Sequence, residues 1–239
     1  MRFGRARRSG TASGLMALAC ALALAASFPH AALGFSRPDL PAESREEGGS
    51  GALLAPILPE GLGLFSGPRL LDLPGDTPTL APPPATADAI DAVRLTPRRT
   101  AVFRGSGDWD DGYATLKEAF AVLERRTQEA GVAPAGKPFV LFTETDDRGF
   151  RFSAMLPVGP DAPELATIGL EEGESPVGHA LRFVHAGPFV DIDATYDLIT
   201  SHLEAEGFEA QESFIEEYVV DAIDDGDPAL IVFIYVFLR

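Results

Sequence analysis

The sequence predicts an α+β domain made of two copies of a strand-helix-strand-strand unit, joined in one antiparallel sheet backed by two helices. Three observations predict it. Moving 76 residues along the chain without a gap carries Tyr113, Leu116, Phe120 and Leu123 onto Phe189, Ile192, Tyr196 and Ile199, an apolar stripe at helical spacing in both places. The same shift carries the helix-ending Gly131 onto Gly207. It also carries Phe142 onto Tyr218 and Val158 onto Ile234, inside the apolar runs that follow each helix. Two such units pair about a pseudo-twofold axis, which creates a groove between the halves.

The elements follow in order. Residues 1–34 carry Arg2, Arg5, Arg7 and Arg8, then an apolar run from Leu15 to Leu24, then small residues, the plan of a secretory signal peptide. Its apolar run is short for a membrane span. Cys20, the only cysteine, lies within it, so the mature chain forms no disulfide. Residues 35–87, rich in Pro, Gly and small residues, lack either period and are expected as a disordered linker, or as a segment draped over the domain.

The domain is expected over residues 88–239. Ala92–Leu95 and Thr100–Arg104 read as one strand, or two pieces of one, interrupted by Pro97. Acids at Asp110 and Asp111 favour a helix start, and Leu116, Phe120 and Leu123 form its stripe as far as Gly131. Phe139–Thr143 and Phe150–Leu156 flank an Asp-Asp-Arg-Gly turn and read as a hairpin. The second half repeats the order: a strand at 180–184, a helix at 191–206, and strands at 214–220 and 229–238.

Charge excludes one class of function. Of 36 acidic and 19 basic residues, four of the basic ones lie in the signal, so the mature chain carries a net charge of −21. Such a surface repels nucleic acid and anionic membranes and attracts cations.

Glu216 and Glu217 stand in the middle of the apolar run Phe214–Val220. Alternation puts Phe214, Glu216 and Tyr218 on one face and Ile215, Glu217 and Val219 on the other, so one acid can reach water while the other looks into a cavity. At the position of Glu216 the first half has Val140, so the acid departs from what the repeated fold requires.

The segment 88–239 resembles the GyrI-like small-molecule-binding domain, the effector-binding domain of certain bacterial transcription activators. The matching residues are Gly136-Lys137-Pro138-Phe139, Leu156-Pro157-Val158, His185-Ala186-Gly187-Pro188-Phe189, Glu216-Glu217-Tyr218 and Ile234-Tyr235-Val236. The resemblance implies a pseudo-symmetric fold whose concave face binds hydrophobic, often cationic compounds on a buried Glu, here Glu216. Haem-binding proteins of the SOUL type share the architecture, and some relatives act as hydrolases with an acid in the same cavity. The chain departs from the pattern in having no helix-turn-helix and in having Val236-Phe237 where a proline is frequent.

The reading is therefore an exported, periplasmic domain, with anchoring by a lipid on Cys20 or by the uncleaved signal as alternatives, that binds a small hydrophobic or cationic molecule in the groove between its halves, its site made of Glu216, Tyr218, Phe142, Phe189, Trp109 and Tyr235. Aromatic walls hold a flat or cationic ligand and the carboxylate supplies the opposite charge. Two alternatives stand beside it. Glu216 is a candidate general acid or base of a small-molecule hydrolase, or the groove is a protein-interaction module with no small ligand. No cofactor or metal is expected: His179, His185 and His202 form no spaced pair, and the acids at Asp221–Asp227 lack a calcium-loop spacing.

Overall fold

The computed structural model describes residue 73 and residues 77–239, so the expected signal peptide and most of the expected linker lie outside the described residues. Ten elements follow one another: β1 (Asp91–Leu95), β2 (Arg99–Asp108), α1 (Gly112–Glu129), β3 (Phe139–Thr145), β4 (Gly149–Pro157), β5 (Glu171–Glu174), β6 (Gly178–Ala186), α2 (Ile192–Glu206), β7 (Ala210–Val220) and β8 (Ile231–Leu238). All strands join one antiparallel sheet in the order β1-β6-β8-β7-β3-β4-β2-β5. The expected α+β class and its two repeated units are both present.

The helices form where their apolar stripes require. Gly112, Leu116, Ala119, Phe120, Leu123 and Thr127 are the buried positions of α1, and Ile192, Tyr196, Ile199 and Leu203 those of α2. Each helix stops at a glycine in the left-handed region, Gly131 at φ +69° and Gly207 at φ +68°, which a side chain would strain.

The two halves meet at the centre of the sheet, where β3 and β7 pair. Val140 lies opposite Glu216, and these are the two residues that the 76-residue shift equates, so the pseudo-twofold axis passes between them. The shift does not hold to the end. Val140 pairs with Ala154 and Glu216 with Ile234, so the counterpart of Ile234 is Ala154, not Val158. The β7–β8 connection is longer than the β3–β4 turn, and residues added in a connection move the register of the returning strand.

The stretch expected as one strand is two. β1 pairs with β6 at one edge of the sheet, and β2 lies between β4 and β5 near the other. In a flat sheet with strands about 4.8 Å apart, β1 and β2 would be roughly 29 Å from each other, whereas residues 96–98 let Leu95 and Arg99 part by at most about 14 Å. The sheet is therefore rolled until its edges approach. Residues 175–177 make the reciprocal crossing, and the two connections bond: Arg98 N–H donates to Ser175 Oγ (2.9 Å), Ser175 Oγ–H to the Thr96 carbonyl (3.3 Å), and Ser175 N–H to the Arg98 carbonyl (2.8 Å). An eight-stranded roll has an interior that side chains just fill, so both helices lie outside it.

Strand β5 was not expected because Glu171-Glu172-Gly173-Glu174 has no apolar alternation. Arg99 holds Glu172 and Arg104 holds Glu171 instead, at 2.9 and 2.8 Å. A Cβ at Gly173 would come within 2.8 Å of Val102 Cγ2.

Two apolar layers result. Between sheet and helices lie Leu116, Phe120, Phe142, Phe214, Ile199 and Ile234, among others. Inside the roll lie Leu95, Val102, Phe139, Ile215, Phe233 and Phe237, together with Leu80 and Ala81. Residues 77–87, within the segment expected as a linker, are thus placed against the domain, with Leu80 and Ala81 each only 4% exposed.

Candidate functional site

The 3₁₀ turns Trp109–Asp111 and Phe189–Asp191 lead into α1 and α2 and bring the starts of both helices over the centre of the sheet. His185 fixes the second entry. Its Nε2–H donates to the Gly187 and Pro188 carbonyls (3.1 and 3.0 Å), which leaves Nδ1 to accept from Thr195 Oγ1–H (2.9 Å). Burial lowers the pKa of this imidazole, in keeping with the neutral tautomer those bonds demand.

Between the helix starts is a cavity of about 70 Å³. Glu216 and Phe142 form its floor, Phe150 and Leu116 its walls, and Trp109, Tyr113 and Phe189 its mouth. Tyr113, in the first turn of α1, and Phe189, in the 3₁₀ turn before α2, close over it with ring centroids 4.6 Å apart, and Trp109 packs on Phe150 at 4.7 Å. Trp109 Nε1–H is fixed to the Asp146 carbonyl at 2.7 Å. Asp110, Asp193 and Asp225 complete the lining, which contains no Lys or Arg.

Glu216 is fully buried. Tyr196 of α2 donates its hydroxyl to Oε1 and Tyr218 donates to Oε2 at 2.8 Å. Burial pushes the carboxyl up to about 7, and the two hydroxyl bonds, which favour the anion, pull the other way. The same arrangement raises both phenols well above their ordinary range, through burial first and the neighbouring carboxylate second. Tyr113, at the mouth, is pushed up to about 12 by burial and then by Asp221, Asp227, Asp224 and Asp225, which shows how negative that rim is.

The polar trio belongs to the second half alone. Under the 76-residue shift Tyr196, Glu216 and Tyr218 correspond to Phe120, Val140 and Phe142. Three buried apolar positions of one half have become hydrogen-bonded polar ones in the other.

Among solved structures, the crystal structure of the EcmrR C-terminal domain matches with a TM-score of 0.51 at 17% identity, covering 63% of this chain and 97% of that one. EcmrR in its DNA complex matches at 0.50 and 15% identity, covering 63% of this chain and 57% of that chain. SAV2435 bound to tetraphenylphosphonium matches at 0.46 and 10%, covering 63% and 94%. The fold is that of the EcmrR C-terminal domain. The fold implied by the GyrI-like resemblance is therefore present. No protein-family model and no curated protein sequence matches the chain.

Of the residues read from the sequence, the structure brings Glu216, Phe142, Phe189 and Trp109 to the cavity, with Tyr218 bonded to Glu216 from behind it. Tyr235 is not there. It lies inside the roll and donates to Glu217 Oε2 at 2.7 Å, because its strand position faces away from the helices. Glu217 does not reach water either: it is fully buried, and its Oε1 accepts the Leu80 N–H at 2.7 Å. Tyr196 was missed. Its signal was a hydroxyl gained at a helix-stripe position whose repeat equivalent is Phe120. Tyr113, Asp193 and Asp225 were missed because only the fold carries them to the mouth.

Proposed function

We infer that this domain binds a compact hydrophobic cation, held by Glu216 between aromatic walls, in a setting outside the cytoplasm. The observation that carries the reading is the buried Glu216 carboxylate at the floor of an aromatic cavity lined by acids and by no base. A carboxylate near neutrality in its titration takes a cation as its partner readily, since the cation offsets the cost of leaving it charged in apolar surroundings. Trp109, Tyr113, Phe142 and Phe189 add ring faces for a cation. Export rests on the signal-like order of residues 1–34.

The cavity is smaller than the roughly 300 Å³ at which sites for drug-sized ligands begin, so the reading includes movement of its mouth. Trp109, Tyr113 and Phe189 are only partly buried, and Tyr113 and Phe189 lie outside the strands, so an outward turn of their rings would leave the strand pairing in place. The test is calorimetric titration of the full chain with an aromatic cation and its neutral isostere. The expected result is binding of the cation at least tenfold tighter, with the preference abolished by Glu216→Gln. Equal affinity for both, in wild type and variant, overturns the reading and favours an interaction module without a small ligand.

One observation favours a second reading. A carboxyl poised near 7 between two phenol donors suits a general acid or base toward a bound water. Hydrolysis of a ligand that the wild type binds, lost in Glu216→Gln with binding kept, would establish it.

A further inference from the structure

The interior of the roll holds a second polar cluster that the cavity at Glu216 does not use. Glu217 and Arg182 are both buried there, with Tyr235 between them in the core. Arg182, 3% exposed, donates Nη2–H to Asp91 Oδ2 at 2.5 Å, and its guanidinium lies 5.3 Å from the centre of the Phe233 ring. Its Nε has no partner. A buried guanidinium with an unpaired Nε calls for an explanation.

The cluster and its neighbours bind the main chain of residues 78–82. The Lys137 N–H donates to the Pro78 carbonyl (3.0 Å), Arg98 Nη2–H to the Thr79 carbonyl (2.7 Å), the Leu80 N–H to Glu217 Oε1 (2.7 Å), and Arg182 Nη1–H to the Pro82 carbonyl. Thr79 Oγ1–H closes the segment on its own Ala81 carbonyl at 2.6 Å. Gly136 permits the approach, since a Cβ there would lie 3.2 Å from the Pro78 oxygen. Leu80 and Ala81 are the apolar plug.

We propose that the interior of the rolled sheet is a second binding site, for an extended peptide, and that residues 78–82 are its resident and displaceable occupant. The recognition differs from strand addition. Backbone groups are read by side chains of β6, β7 and the β1–β2 connection and by one loop amide, and specificity comes from the pocket for Leu80. The occupant is this chain's own segment because it is joined to β1 by a few residues, so its effective concentration at the site is in the millimolar range expected of a short tether. Glu216 and Glu217 are consecutive in β7, so the two sites back onto each other across one strand.

The test uses the full chain with a specific protease site inserted between Asp88 and Ala89. After cutting, the fragment ending at residue 88 should remain with residues 89–239 through gel filtration, and an excess of free peptide of sequence 76–85 should displace it. The same peptide carrying Leu80→Asp should displace it at least tenfold more weakly. Immediate separation of the fragments with the larger one still folded, or equal displacement by both peptides, overturns the proposal. Should the larger fragment unfold on cutting, amide exchange in the uncut chain decides: Glu217→Gln should speed exchange at Leu80 at least tenfold and leave the α1 amides unchanged. Equal exchange at Leu80 in variant and wild type overturns it. Light scattering showing a dimer that dissociates on addition of the peptide would place the segment in a second copy and overturn the intramolecular assignment.

Discussion

Val140 and Glu216 face each other across the two central strands, and the repeat that built the domain makes each the counterpart of the other. The two equivalent positions flank the pseudo-twofold axis and meet at the centre of the sheet, so an acid at one of them and an apolar residue at the other put a single charge at the centre of the groove. The chain uses this to place a single carboxylate, supported by Tyr196 and Tyr218, where the other half offers Phe120 and Phe142. The apolar half supplies part of the wall and the polar half the charge.

Stability should fall as pH rises through neutrality. Glu216 and Glu217 are both raised from 4.5 to about 7 in the folded chain, so the native state holds protons that the unfolded state releases. Their contribution is full below about pH 4.5 and lost as pH passes 7, at about 1.4 kcal/mol per pH unit for each group. His185, held low by burial, acts with the opposite sign as pH rises toward 6.5 and offsets part of the decline, whereas Asp146 and Asp227, held low by backbone N–H bonds, do so only below pH 4, outside this window. Denaturant melts from pH 5 to 8 should show a net decline, and Glu216→Gln should remove one of its two Glu contributions. A flat profile in the wild type contradicts the burial argument.

Cation binding should strengthen with pH over the same range. Binding favours the ionised Glu216, so the complex releases a proton near pH 6 to 7 that it does not release at pH 9. Calorimetry in two buffers of different ionisation enthalpy measures this directly, and Glu216→Gln should release none.

Tyr196→Phe should raise the Glu216 pKa further and weaken cation binding at pH 7. The variant loses one bond that favours the anion, worth about 1 to 3 kcal/mol for a charged acceptor. Its pH profile for binding should shift upward relative to wild type, while neutral ligands bind as before. An unchanged profile would mean that the hydroxyl serves packing alone.

Phe189→Ala should open the mouth. Removing the ring that closes against Tyr113 costs little stability for a partly buried side chain, about 1 kcal/mol, and should speed ligand entry. Stopped-flow association rates at least threefold above wild type are expected, with faster release as well.

Gly149→Ala should be among the most damaging small substitutions. A Cβ there would sit 2.2 Å from the Gly107 carbonyl oxygen, a backbone atom. Separating β2 from β4 to relieve this should cost about 1 to 3 kcal/mol or more, read as a lower midpoint in denaturant.

The sequence by itself determined the local elements and their duplication. Helix stripes, glycine stops and the apolar runs of β3, β4, β6, β7 and β8 are short-range patterns, and each formed within a few residues of where it was read. The departure of Glu216 from its repeat equivalent was equally legible, because it needs only one residue compared with another. Alternation also put Glu216 and Glu217 on opposite faces as found.

Only the tertiary structure decided what those faces meet. The separation of β1 from β2, the place of Tyr235, the burial of Glu217 beneath Leu80 and the arrival of Tyr196 at Glu216 all depend on the rolling of the sheet and the exchange of its edge strands. Those are contacts between residues far apart in the chain. Periodicity states which side of a strand a residue faces, but whether that side looks onto water, a helix or the chain's own leading segment is set by how the whole sheet closes.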